Sequence, residues 1–230
     1  SVGAAMAIAL QSSTAVAALA SGFASGGLLA GATGLALVLG AYFGSAIVAS
    51  ILSFDLSLLI APLIIAGGVL FLRGTERRTK QLGRMVLGIA FVLLSLQMVS
   101  EATAPWRDSE LLGTVVNYLR GDPWTGFLAA ALITWLSYSS VASVLVIITF
   151  GAAGILPLEI ATALVLGANL GGTLIAYGMT RGGDVRARRI AIGAAMLRGG
   201  AALACLILLQ VWPLAAIGLP GNVGHQASLL

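Results

Sequence analysis

The chain alternates long apolar segments with short polar interruptions. Apolar stretches cover about 2–20, 28–52, 56–72, 85–100, 125–150, 155–179 and 190–212. A membrane-spanning helix needs about 20 residues at ~1.5 Å each, so most of these segments predict spans. Two of them carry a polar run inside. Gln11-Ser12-Ser13-Thr14-Ala15 divides the first, and Tyr138-Ser139-Ser140-Val141-Ala142 divides the fifth into two pieces of about twelve residues, each too short to cross. The offset from Gln11 to Tyr138 is 127 residues, and Gly40-Ala41-Tyr42-Phe43-Gly44 stands at the same offset from Gly167-Ala168-Asn169-Leu170-Gly171. Two landmarks without an intervening insertion predict an internal duplication.

Composition removes the soluble alternative. With 59% hydrophobic and 9% charged residues and a mean hydropathy of +1.05, the pattern is that of a polytopic membrane protein. The charges cluster. Arg73, Arg77, Arg78, Lys80 and Arg84 against Glu76 sum to +4, and Arg181, Arg186, Arg188 and Arg189 against Asp184 sum to +3. The stretch with Glu101, Arg107, Asp108, Glu110, Arg120 and Asp122 sums to −2. A pI near 9.8 is explained by short basic loops that orient the chain, not by nucleic-acid binding. Cys205 is the sole cysteine and lies in an apolar span, which excludes a disulfide frame and a cysteine-based metal site. The chain begins without Met inside a hydrophobic segment, as expected of a piece of a longer protein.

Placing both basic clusters in the cytoplasm puts 101–122 outside, where Leu111, Leu112, Val115, Val116 and Leu119 have the spacing of an interfacial helix. From Asp122 outside to Arg181 inside the chain must cross an odd number of times, yet two apolar segments intervene. The segment with Tyr138-Ser139-Ser140 is then a re-entrant hairpin, and 2–20 another that opens to the opposite side after the crossings 28–52, 56–72 and 85–100. The expected fold is an all-α integral membrane protein, an inverted-repeat transporter with two re-entrant helical hairpins and unwound mid-membrane helices. Its parts are a first repeat over 1–100, an extracytoplasmic loop with its interfacial helix over 101–124, and a second repeat over 125–230.

Each hairpin tip places serines where a new helix offers free N–H groups and partial positive charge. Such a tip suits an oxyanion without Lys or Arg, while the carbonyls of the ending helix and nearby hydroxyls suit Na⁺. Gly44, Gly171 and Gly172 predict an unwound stretch beside them. Arg198 lies about nine residues into its span, a position for attracting an anion or for snorkelling to the surface. Ser21, Ser25, Ser50 and Ser143 read as interhelical packing residues, Glu159 as an interfacial carboxylate and His225 as a loop residue. Trp106, Trp124, Trp135 and Trp212 fall near predicted interfaces.

The runs Gln11-Ser12-Ser13-Thr14-Ala15, Gly167-Ala168-Asn169-Leu170-Gly171-Gly172-Thr173 and Ala187-Arg188-Arg189-Ile190-Ala191, with Asn222–Leu229 near the end, resemble the type II sodium–phosphate cotransporter family. That resemblance implies Na⁺-coupled symport of inorganic phosphate, with no cofactor beyond Na⁺ as coupling ion. It implies a multi-pass protein of the plasma membrane, in bacteria the inner membrane, with lipid around it and a homo-oligomer as one possible state. It assigns substrate or ion contacts to Gln11, Ser12, Ser13, Thr14, Ser139, Ser140, Asn169 and Thr173, with Na⁺ held through Gln11, Ser13, Thr14 and Ser140. Arg198 joins them from its depth alone. Tyr138 and Val141 replace Gln and Ser of the family motif, Tyr42, Ser45 and Ala46 replace Asn, Thr and Thr, and Leu197-Arg198 replaces Phe-Asn. Those departures keep two alternatives open: a carrier of another small oxyanion, or a non-transporting membrane scaffold on the same fold. An enzyme is not expected, since no His or Asp accompanies the serines at their depth.

Overall fold

In the computed structural model, residues 2–10, 12–54, 56–103, 105 and 109–211 are described, and among them every regular element is an α-helix. The first polar run is where one helix stops and another starts. Helix α1 (Val2–Leu10) gives way to α2 (Ser13–Ser25) at Ser12. Ser12 holds extended backbone (φ −155°, ψ 109°), and its Oγ accepts from Ala15 N at 3.1 Å, a side-chain N-cap. The second run repeats this. Helix α7 (Pro123–Ser137) ends at Tyr138 in the left-handed region (φ 55°), and α8 (Ser140–Ala152) starts from Ser139 (φ −143°, ψ 104°), whose Oγ accepts from Ala142 N at 3.2 Å.

The exits match as well. After α2, Gly27 takes φ 74° and Leu28 N donates to Phe23 O at 2.9 Å; after α8, Gly154 takes φ 74° and Ile155 N donates to Phe150 O at 2.9 Å. Both are Schellman endings, in which the left-handed residue is best supplied by glycine. Ala30 and Pro157, in extended backbone, then lead into α3 (Gly31–Leu52) and α9 (Leu158–Thr180). Break, cap, exit and restart all recur at the 127-residue interval, far beyond the two landmarks visible in the sequence.

Helices α4 (Ser57–Arg73) and α5 (Arg77–Thr103) pack as a pair, α6 (Glu110–Gly121) is short, and α10 (Val185–Val211) closes the described chain. The partly buried Val116 and Leu119 of α6 rest on the α8–α9 cluster, while Leu111 and Val115 are exposed, the two-faced character expected of an interfacial helix. Gly31–Leu52, Arg77–Ala102, Leu158–Thr180 and Val185–Val211 are long and apolar enough to cross a membrane. Helix α4, with 17 residues, reaches about 25 Å at ~1.5 Å per residue, just short of a ~30 Å hydrocarbon core.

Helix α9 is the axis of the molecule. Of its most apolar stretch 72% is buried within the protein, against 17% for α5, and it contributes to three apolar clusters. Helix α10 packs on α9, α2 and α3, tying the first hairpin to the second half of the chain. Many large apolar side chains point outward, among them Leu28, Leu58 and Leu72. Such a surface is untenable in water and ordinary in lipid.

One expectation is corrected. Neither α3 nor α9 is unwound: both run without a break through their glycine motifs. The glycines serve close helix crossing instead. A Cβ on Gly167 would collide with Phe127 O, one on Gly171 with Ala131 O, and one on Gly44 would lie 2.5 Å from Ala4 O. Helix α7 therefore lies against α9 as α1 lies against α3, backbone to backbone, with the intrahelical ladder intact.

Candidate functional site

Below the tip of the second hairpin lies a cavity of about 140 Å³. Helix α3 contributes Ser45, Ala46, Ala49 and Ser50, α8 contributes Ser140, Val141, Val144 and Ile148, α9 contributes Val165 and Asn169, and α10 contributes Arg198. None of the lining residues is acidic. The volume holds a few waters or one small anion, taking ~30 Å³ per water.

Arg198 is held on two sides. Its Nε and Nη2 donate to Asn169 Oδ1 at 3.1 and 2.5 Å, and its Cζ lies 4.2 Å from the centre of the Tyr42 ring. Asn169 is oriented in turn, because its Nδ2 donates to Val165 O one helical turn back at 3.0 Å. The third guanidinium nitrogen, Nη1, is buried with no hydrogen-bond partner. A buried cation that no carboxylate balances is costly, and an anion in the cavity would both neutralise it and satisfy its N–H groups.

Ser140 completes the cradle. It is the first residue of α8 and 6% exposed, so hydroxyl and helix terminus act at the same place. Gly172 of α9 makes room for it: a Cβ there would stand 2.9 Å from Ser140 Cβ, 3.2 Å from its Oγ and 3.6 Å from Arg198 Nη1. The open point beside Gly172 is thus shared by the hydroxyl and the unpartnered guanidinium nitrogen.

Of the residues expected from the sequence, Ser140, Asn169 and Arg198 meet at this cavity. Ser12, Ser13 and Thr14 do not line it; Ser12 caps α2, and Ser13 is buried at the start of that helix. Ser139 caps α8, and Thr173, 1% exposed, donates to Leu170 O at 2.7 Å within its own helix. Gln11, Trp106, Trp212, His225 and the Asn222–Leu229 run lie outside the described residues. Arg198 does not snorkel, since one face of its guanidinium lies over the Tyr42 ring of α3 and two of its nitrogens bond Asn169 of α9.

Sequence reasoning missed Tyr42, Ser45 and Ser50 as site-forming residues. Ser45 donates to Tyr42 O at 2.9 Å while lining the cavity, and Ser50, read from sequence as a packing residue, lines it too. A signal existed for Tyr42, which stands 127 residues before Asn169.

Comparison with known proteins shows the family. The family described as Na⁺/Pi-cotransporter matches residues 1–101 and 108–214. A protein named "Putative inorganic phosphate export protein YjbB" from Escherichia coli strain K12 is 38% identical over 189 residues, covering 82% of this chain and 35% of the relative. The protein of that name from Salmonella typhimurium gives the same values, and "Uncharacterized protein YqeW" of Bacillus subtilis is 27% identical over 182 residues, 79% of this chain and 59% of the relative. The chain therefore spans about a third of the length of the YjbB proteins. No solved structure matches it. With a family match running from its first residue past the end of α10, this chain is a membrane protein that belongs to the Na⁺/Pi-cotransporter family.

Proposed function

We propose that this chain forms the substrate-binding part of a secondary transporter moving inorganic phosphate with Na⁺ across the plasma membrane, in a bacterium the inner membrane. The observation that carries the reading is Arg198 Nη1, buried without a partner in a cavity that also holds Ser140 and Asn169 and no acid. A tetrahedral oxyanion there accepts from the guanidinium and from Ser140, with α8's N-terminal dipole favouring negative charge. The Na⁺ ligands are sought among Ser13, Thr14, Ser140 and Gln11, supported by family membership and by the oxygen-rich starts of α2 and α8.

In this reading the α1–α2 and α7–α8 pairs are re-entrant hairpins of two inverted repeats, 1–100 and 125–230, joined by the outer segment 101–124. Support comes from the 127-residue recurrence of caps and exits and from the charge parity of the loops.

The test is uptake of radiolabelled phosphate by proteoliposomes containing the full-length protein. Arg198→Met is expected to lower uptake at sub-saturating phosphate by about 10- to 100-fold, since a hydrogen bond to a charged group contributes roughly 1.5–3 kcal/mol. Unchanged uptake by that variant sinks the site assignment. Equal uptake with choline in place of Na⁺ sinks the coupling, and equal transport of sulfate sinks the selectivity. Because the E. coli relative is named for phosphate export, flux is measured in both directions by reversing the Na⁺ gradient.

A further inference from the structure

Arg198 touches the two halves of the chain at one repeated position. Its partner on α9 is Asn169 and its partner on α3 is Tyr42, and these two residues are 127 apart, the interval of the repeat. A single guanidinium is therefore gripped by both members of a repeat-related pair that have diverged into different chemistries. Asn169 binds it in the plane: Oδ1 accepts from Nε and Nη2, and the amide nitrogen, committed to Val165 O, keeps that carbonyl from turning away. Tyr42 holds it from the face, with the cation over the ring. In-plane hydrogen bonds resist sliding but allow the plane to tip, whereas a stacked ring resists tipping but allows sliding. Together they leave one orientation.

The ring is itself buried. Tyr42 is 8% exposed and packs in the cluster that joins Ala17 and Ala20 of α2 to Ala194 of α10. What the grip leaves uncommitted is Nη1, buried, without a partner and next to Ser140. Resting on the reading of this cavity as an oxyanion site, we propose that Tyr42 is a positioning residue for anion binding: with Asn169 it locks Arg198 so that its Nη1 end is presented to the anion. Recognition is then through the Nη1 end of the guanidinium and the Ser140 hydroxyl, because the Nε–Nη2 edge is occupied by Asn169. The lock also links the first hairpin to the site, since Tyr42 shares its apolar cluster with Ala17, Ala20 and Ala24 of α2. Neither Ser12 nor Thr14 needs to touch the anion for the first half of the chain to set its affinity.

The experiment measures phosphate binding to the full-length purified protein by titration calorimetry, with transport in proteoliposomes alongside. Tyr42→Leu and Asn169→Leu are each expected to raise the phosphate Kd about tenfold, Arg198→Met to abolish measurable binding, and Tyr42→Phe to stay within about threefold of the parent, because the ring face is retained. Transport at saturating phosphate is expected to survive Tyr42→Leu, so that KM moves and kcat does not; a merely structural defect would lower kcat by losing active protein. Binding by Tyr42→Leu equal to the parent, with Arg198→Met still inactive, overturns the lock while leaving the site. Parent-like binding by Arg198→Met overturns the site, and the lock with it. A Tyr42→Phe variant as weak as Tyr42→Leu also overturns the lock, assigning the effect to the hydroxyl. Should Tyr42→Leu fail to fold, Asn169→Leu and Tyr42→Trp decide the matter, the tryptophan variant being expected to retain binding.

Discussion

At Gly172 the loss of one methyl group makes the site. Its repeat counterpart is Ser45, which carries a side chain without conflict on α3, whereas a Cβ on α9 would meet Ser140 at 2.9 Å and approach Arg198 Nη1 at 3.6 Å. Gly172→Ala is expected to weaken phosphate binding about tenfold, because overpacking costs ~1–3 kcal/mol and the atoms that must move are the anion's own donors. Its thermal stability should fall less than that of Gly167→Ala, because the start of α8 need shift only a little to relieve the Ser140 Cβ contact. Gly167→Ala is the contrasting control: there the obstacle is the backbone carbonyl of Phe127, and the loss should fall on stability. Binding titrations and thermal unfolding of the two variants check this; unchanged affinity in Gly172→Ala refutes the shared donor point.

The helices of the second hairpin depend on caps, and one of these titrates. Asp122 precedes α7, with Pro123 at the first helical position, and accepts from Trp124 N, Thr125 N and Thr125 Oγ1. The Thr125 hydroxyl in particular holds the carboxyl below its ordinary value of 3.8, and the two backbone amides act in the same direction. A carboxylate with a depressed folded value stabilises the fold above the ordinary value and loses that contribution as pH falls through the depressed one. Protection of the Trp124 and Thr125 amides, read as exchange relative to the intrinsic rate, should therefore fall once the pH drops below 3.8. Asp122→Asn keeps a capping side chain without the charge, so its exchange should show no such step. A step that persists in Asp122→Asn would assign it to another group.

At the scale of the whole molecule, the site has a neighbour. A second cavity of about 420 Å³ lies between the α3–α4 connection, the end of α5 and the end of α8, with Ser53, Gln97 and Thr149 among its lining residues. Ile148 of α8 lines both cavities and is 8% exposed, so it stands between them. In the orientation proposed from the charge parity of the loops, the second cavity would open outward. In a Cys205→Ala background, Ile148→Cys should react with a membrane-impermeant thiol reagent added outside, at least severalfold more slowly with saturating phosphate present. Labelling only from the inside would reverse the assigned orientation.

What the sequence determined by itself is what acts over a few residues or at a fixed period. Ser12 and Ser139 start helices because their hydroxyls reach an amide three residues ahead, and Gly27 and Gly154 end them because the left-handed exit favours glycine. Apolar length gave four of the long helices, though the expected crossing 56–72 forms a 17-residue helix, and the 127-residue recurrence gave the repeated break between shorter ones. The glycine motifs were visible but not their purpose, since glycine equally permits unwinding and close crossing, and only the position of α1 and α7 decided for crossing. Nor could the sequence choose which serines gather. The motifs of the two halves look interchangeable, with the first the better preserved, yet the cavity forms at the second. That choice was made by α10, which carries Arg198 across to Asn169, 29 residues away, and to Tyr42 in the other half of the chain. A cation's partners follow from how helices cross, and a crossing is decided by the packing of several apolar faces at once, which no local pattern encodes.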